Sequence, residues 1–198
     1  MDPRTRLRTA ALFYALFAGA ALLWNSVAGR PWLHLIWDPD RATAATLVLG
    51  LIGGAGFGAV VVLLSRWSVA RASWARELYV WFAALLGPLS WADAAALAGL
   101  SAVGEEIFFR GAMQASLGLY LTSTIFGAMH PAPRLRLLPW TLSAAIMGLV
   151  FGWITEASGN LAGAVMAHFV INFFNLRHVS RFCPAEVDAG AADGLDDP

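Results

Sequence analysis

Two adjacent carboxylates, Glu105 and Glu106, and a guanidinium, Arg110, lie inside an apolar run long enough to cross a bilayer. A charge at mid-membrane costs about 3 kcal/mol or more, so all three must face a protein interior or a wet crevice. On a helix, Glu106 and Arg110 stand at i and i+4 with the acid first, the order that favours a pair on one face. Glu105, about 100° round the helix, has no partner in its own segment. A carboxylate so placed is suited to taking or giving a proton. His130 ends the next apolar run, just before Pro131, where by itself it would serve equally as a helix cap. His168 and Asn172 are again at i, i+4, so both polar tips project from one side of the last run; alone they would pass as glue between helices. Taken together they put a free carboxylate, two imidazoles and an amide on three helices. That set can activate water and stabilise an oxyanion. Glu156, with Asn160 close behind, reads as a loop acid, and Asp93 as a capping partner of Ser90.

The elements that must position these residues belong to a membrane protein. Of 198 residues 59% are apolar and 13% charged, with a mean hydropathy of +0.64. A soluble domain carries about a quarter charged residues, so this chain cannot wet its own surface. Disordered, collagenous and disulfide-scaffold classes are excluded by the same figures. The single cysteine, Cys183, can form no internal bridge and supports no cysteine-based metal site. The net charge is zero and all 13 basic residues are Arg, which with the abundant Ala points to a GC-rich, bacterial coding sequence. No nucleic-acid partner is expected.

The expected fold is all-α: a polytopic bundle of about six transmembrane helices plus one interfacial amphipathic helix. Apolar runs lie at 7–29, 42–65, 91–118, 119–130, 137–157 and 161–176. Segment 66–90 mixes Arg66, Arg71 and Arg76 with Trp67, Trp74 and Trp81, the composition of a helix lying in the interface. Six spans put Arg4, Arg6, Arg8, Arg134, Arg136, Arg177 and Arg181 on one side. Both termini are therefore expected in the cytoplasm, with the bundle in a bacterial inner membrane. A seventh span within 78–89 would strand the last four arginines on the other side. The first run resembles a signal peptide ending at Ser26-Val27-Ala28, but it is long enough to remain as an anchor. The chain divides into a two-span hairpin with interfacial helix (1–90), core helices (91–180) and an acidic tail expected to be disordered (181–198). Gly50, Gly54 and Gly58, and the seven-residue series Gly104, Gly111, Gly118, mark faces where helices touch closely.

The strings EEIFFR (Glu105 to Arg110), FGAMH (Phe126 to His130) and HFVIN (His168 to Asn172) resemble, in order and spacing, the EExxxR, FxxxH and HxxxN motifs of the CAAX protease and bacteriocin-processing (CPBP or Abi) family. The resemblance covers residues 91–176 and not the first ninety. It implies a glutamate-type intramembrane endopeptidase without metal or other cofactor. By that analogy Glu105 is the general base that activates water and His130 helps to hold or polarise it. His168 and Asn172 form the oxyanion hole, Glu106 and Arg110 brace the site, and Phe126 packs against it. The implied partners are the bilayer and a membrane-associated peptide or protein, while the oligomeric state is left open.

Other chemistries fit less well. A zinc-dependent variant could use Glu105, His130 and His168 as ligands, but the HExxH string of zinc proteases is absent. No serine is placed as an embedded nucleophile. The Gly-Leu-Asp-Asp at 194–197 lies in the polar tail, and Cys183 lies past the last run. A non-catalytic immunity or scaffold protein of the same fold has no reason to keep Glu105 and Arg110 buried. The family admits prenylated C-terminal peptides, leader or bacteriocin peptides, and C-terminal sorting tails as substrates, and the residues do not choose among them.

Overall fold

The computed structural model describes residues 3–182; residues 183–198, with Cys183 and most of the expected tail, lie outside the described residues. The helices are α1 Pro3–Val27, α2 Ala44–Arg71, α3 Ser73–Leu86, α4 Trp91–Glu106, α5 Gln114–Leu117, α6 Leu119–Ala128, α7 Leu138–Ser158 and α8 Ala162–Val179. A π-helical segment, Ile107–Met113, joins α4 to α5 without a break. Among the described residues no strand forms beyond an isolated bridge between Trp37 and Asn160.

Local sequence explains where these helices begin and end. Thr43 and Thr46 make a reciprocal capping box that starts α2. Ser90 and Asp93 do the same for α4: Ser90 Oγ accepts from the Asp93 amide at 3.0 Å, and the Asp93 carboxylate accepts from the Ser90 amide at 3.1 Å. At Gly118, φ is +78°, which lets the chain leave α5 and enter α6 in a conformation that other residues rarely adopt.

All six apolar runs are helical, and the molecule is a helical membrane bundle. By length and hydropathy α1, α2 and α7 qualify as spans among the described residues; the pair formed by α3 and the stretch from α4 to α6, bent by 104°, is a fourth candidate. The ten residues of α6 rise about 15 Å, roughly half of a hydrocarbon core, too short to cross one alone. The 18-residue α8 is less apolar because it carries His168, Asn172, Asn175 and Arg177. The sharp bend after α3 suits a helix lying along the interface; its inner face packs Ala75, Tyr79 and Ala83 against Val69 and Val179. Large apolar side chains such as Leu16, Leu49, Ile52, Leu63, Ile146 and Trp153 point outward, as lipid contact requires.

Small residues bring α2 and α8 into backbone contact. A Cβ on Gly54 would collide with the Gly163 carbonyl, and one on Gly58 would come within 2.9 Å of the Ala167 carbonyl. The second glycine series works differently at each position. Gly104 leaves room for Tyr14 of α1, Gly111 admits the carbonyl of Leu35, and Gly118 is the turn just described.

Loop contacts sort into two ends. At one, Arg6 donates to the Leu86 carbonyl and Arg177 to the Leu89 carbonyl, while Arg134 and Arg136 pair with Glu77 of α3 at 2.8 and 2.6 Å. At the other, the Asp38 amide donates to the Gly159 carbonyl and Arg30 reaches Ser116.

Candidate active site

The middle of the bundle holds a brace built on Glu106. Its Oε2 lies 3.2 Å from Arg110 Nε with both side chains fully buried, an ion pair rather than an aligned hydrogen bond. Its Oε1 is 2.8 Å from His168 Nδ1. Glu106 therefore ties the helix carrying the paired acids to α8, a link that i, i+4 reasoning within one segment could not supply. Arg110 sits in the π-helical segment, where the Gln114 amide donates to the Phe109 carbonyl five residues back. The expectation of an unbroken α-helix through EEIFFR is thus corrected, although the Glu106–Arg110 pair survives. Such π segments recur at functional sites because they shift the phase of the side chains that follow. Phe126 lies under the guanidinium, 4.7 Å from Arg110 Cζ to its ring centre, so this motif phenylalanine is a cation–π platform as well as packing. Phe151 stacks on His168 at 5.4 Å.

Above that brace stands Glu105. Its Oε1 accepts a hydrogen bond from the Tyr14 hydroxyl at 3.1 Å. Its Oε2 is buried without a hydrogen-bond partner and faces two imidazoles, 3.8 Å from His130 Nε2 and 4.0 Å from His168 Nε2. His130 is held from behind: its Nδ1 is 2.7 Å from the Phe126 carbonyl, which can only accept, so Nδ1 carries the hydrogen. In the neutral ring Nε2 then offers its lone pair toward Glu105. Phe126 and Trp140 pack on His130 at 4.6 and 5.7 Å, and Thr141 donates to its carbonyl. With 25% of its side chain exposed, His130 is the most open member of the cluster.

Asn172 donates to Ser101 Oγ at 2.9 Å, one helical turn before Glu105 on α4. The structure thus brings Glu105, His130 and His168 around one point and sets Asn172 beside the preceding turn. Tyr14 and Ser101 were not singled out from the sequence. Tyr14 showed only as a phenol in an apolar run, a pattern that interface anchors share. Glu156 accepts from Gln114 Nε2 at 2.9 Å and borders a cavity of about 170 Å³ lined also by Arg110, His34, Asp38 and Asn160, but not by Glu105, His130 or His168. Among the described residues no group of three or more His, Cys, Asp or Glu side chains is spaced to hold a metal ion.

Residues 87–174 match the family model described as type II CAAX prenyl endopeptidase Rce1-like. The chain carries an Rce1-like segment. The three motif strings all fall within it, whereas Tyr14 does not. A stretch of 76 residues is 37% identical to uncharacterized protein YpbD of Bacillus subtilis (strain 168), covering 37% of this chain and 38% of that protein. The chain therefore spans well under half the length of the curated relative it matches. No solved structure matches the chain. The Rce1-like segment begins just before α4 and ends inside α8, so it holds the brace, both imidazoles and the paired acids in one piece.

Proposed function

We propose that the protein is a membrane-embedded endopeptidase of the CAAX-protease type, hydrolysing a peptide bond in a membrane-presented peptide or protein with Glu105 as general base. The observation that carries this reading is the unpartnered Glu105 Oε2 between two imidazole Nε2 atoms. A water donating one hydrogen to Glu105 Oε2 and the other to His130 Nε2 keeps an oxygen lone pair for the scissile carbonyl carbon. Attack forms the C–O bond as Glu105 takes the proton, and the carbonyl oxygen becomes an oxyanion. His168 Nε2 donates to that oxygen in the imidazolium form, since Nδ1 already serves Glu106. The Asn172 amide has a second N–H beyond the one given to Ser101. Collapse breaks the C–N bond, and the proton on Glu105 passes to the leaving amine.

The test uses protein reconstituted in liposomes and two internally quenched peptides, one with an apolar C-terminal anchor and one with a farnesylated C-terminal cysteine. Wild-type protein cleaves at least one, and Glu105→Gln, folded and inserted, cleaves neither. Full activity in Glu105→Gln would overturn the reading.

A further inference from the structure

We infer that Tyr14, on the N-terminal helix and outside the Rce1-like segment, is a positioning residue that holds the Glu105 carboxylate in its working orientation. The inference rests on the hydrolytic reading of Glu105 and extends the site to a helix that the family match leaves out.

A glutamate side chain has three rotatable bonds, and its two oxygens are chemically equal until something tells them apart. Here the distinction comes from α1. The Tyr14 hydroxyl gives its hydrogen to Oε1 at 3.1 Å, leaving Oε2 to face His130 and His168. Among the hydrogen bonds that Glu105 makes in the described residues, this is the one that fixes its rotation about the last bond. Tyr14 is brought close enough because position 104 is glycine: a Cβ there would stand 2.9 Å from Tyr14 Cβ. The phenol is itself held by rings, Phe13 edge-on at 5.1 Å and Phe17 at 6.2 Å. One side chain of α1 therefore touches Glu105 directly. A phenol suits this place because it donates to a carboxylate without bringing a second charge into the membrane interior.

Removing the hydroxyl frees the carboxylate to rotate away from the water it must deprotonate, while substrate contacts stay as they were. Tyr14→Phe should therefore lower kcat about 10- to 100-fold, the scale of one hydrogen bond to a charged group. KM should stay within about twofold and the melting temperature should not change, whereas Tyr120→Phe, at an exposed phenol, should leave kcat at the wild-type value. A merely structural tyrosine would move stability and KM along with kcat. A second readout needs no turnover. With 3-fluorotyrosine at position 14, the fluorine resonance should shift on Glu105→Gln and stay in place on Glu77→Gln. Wild-type kcat in Tyr14→Phe alongside an inactive Glu105→Gln would overturn this inference and leave the proposed hydrolysis standing. Wild-type kcat in Glu105→Gln would instead remove the proposed hydrolysis itself. A fluorine resonance indifferent to Glu105→Gln would overturn the contact, including where Tyr14→Phe fails to fold.

Discussion

Arg110 and Asn172 both lie in the motif strings, yet their surroundings give them opposite weights. Arg110 is wholly buried and faces a wholly buried Glu106, so Arg110→Ala leaves that acid with His168 as its neighbour in a dry interior. Breaking a buried pair from one side costs about 3–5 kcal/mol. The expected result is a marked fall in folded, detergent-extractable protein, measured by size-exclusion yield and thermal melting. Asn172→Ala removes an amide that donates to a serine hydroxyl, so folding should persist. If the amide is an oxyanion donor, turnover of the quenched peptides should drop about 100-fold or more. Equal losses of yield in the two variants would show Asn172 to be structural. The metal alternative is decided at the same scale. Zinc would need Glu105 as a ligand, and Glu106, tied to Arg110 and His168, could not then serve as base. Activity should survive a chelator titration, with no stoichiometric zinc by elemental analysis of active protein. One zinc per chain, with activity lost to chelator and restored by zinc, would reassign the roles around the same residues.

Helix contacts decide how these groups meet, and the α2–α8 seam is the clearest case. Position 54 has no room for a Cβ against Gly163, while Gly53, one residue earlier, has open space. Gly54→Val should therefore separate α2 from α8 and lower the melting temperature strongly. Gly53→Ala should be neutral or slightly stabilising, by about 1 kcal/mol at most, because alanine is the better helix former. Similar melting for the two variants would refute the seam. Much at this scale is legible in sequence: the glycine spacing, the Ser90–Asp93 cap and the i, i+4 pairing of Glu106 with Arg110 all follow from helical geometry. The π-helical segment was not legible, because π and α hydrogen bonding differ by one residue of register that the side-chain types do not mark. Glu106–His168 and Tyr14–Glu105 were hidden for another reason. They join helices far apart in the chain, and periodicity along one segment carries no information about which face of another it will meet.

At the scale of the whole molecule, two unlike ends frame the site. Arg6, Arg134, Arg136 and Arg177 gather with α3 at one, and the Asp38–Gly159 contact closes the other. Counting from that arrangement, the chain leaves the Arg-rich end along α1 and returns along α2. It leaves again through α4, the π segment and α5, and comes back through α6 and the coil that carries Arg134 and Arg136. It passes between the two ends once more each way in α7 and α8. The short α6 shapes that return: a helix of about 15 Å, roughly half the thickness of a hydrocarbon core, sets His130, just past its end, beside Glu105. Arginine-rich loops favour the cytoplasm, so the end holding α3 should face inward, and with it the open edge of His130. Reporters inserted after Asp40 and after Arg181 test this directly in a bacterial inner membrane. Alkaline phosphatase should be active at Asp40 and silent at Arg181, and a fluorescent protein should behave in reverse. The same compartment at both positions would mean an even number of crossings between them. The path from α6 through the coil to α7 would then be a re-entrant loop, and substrate would have to approach His130 from the opposite side.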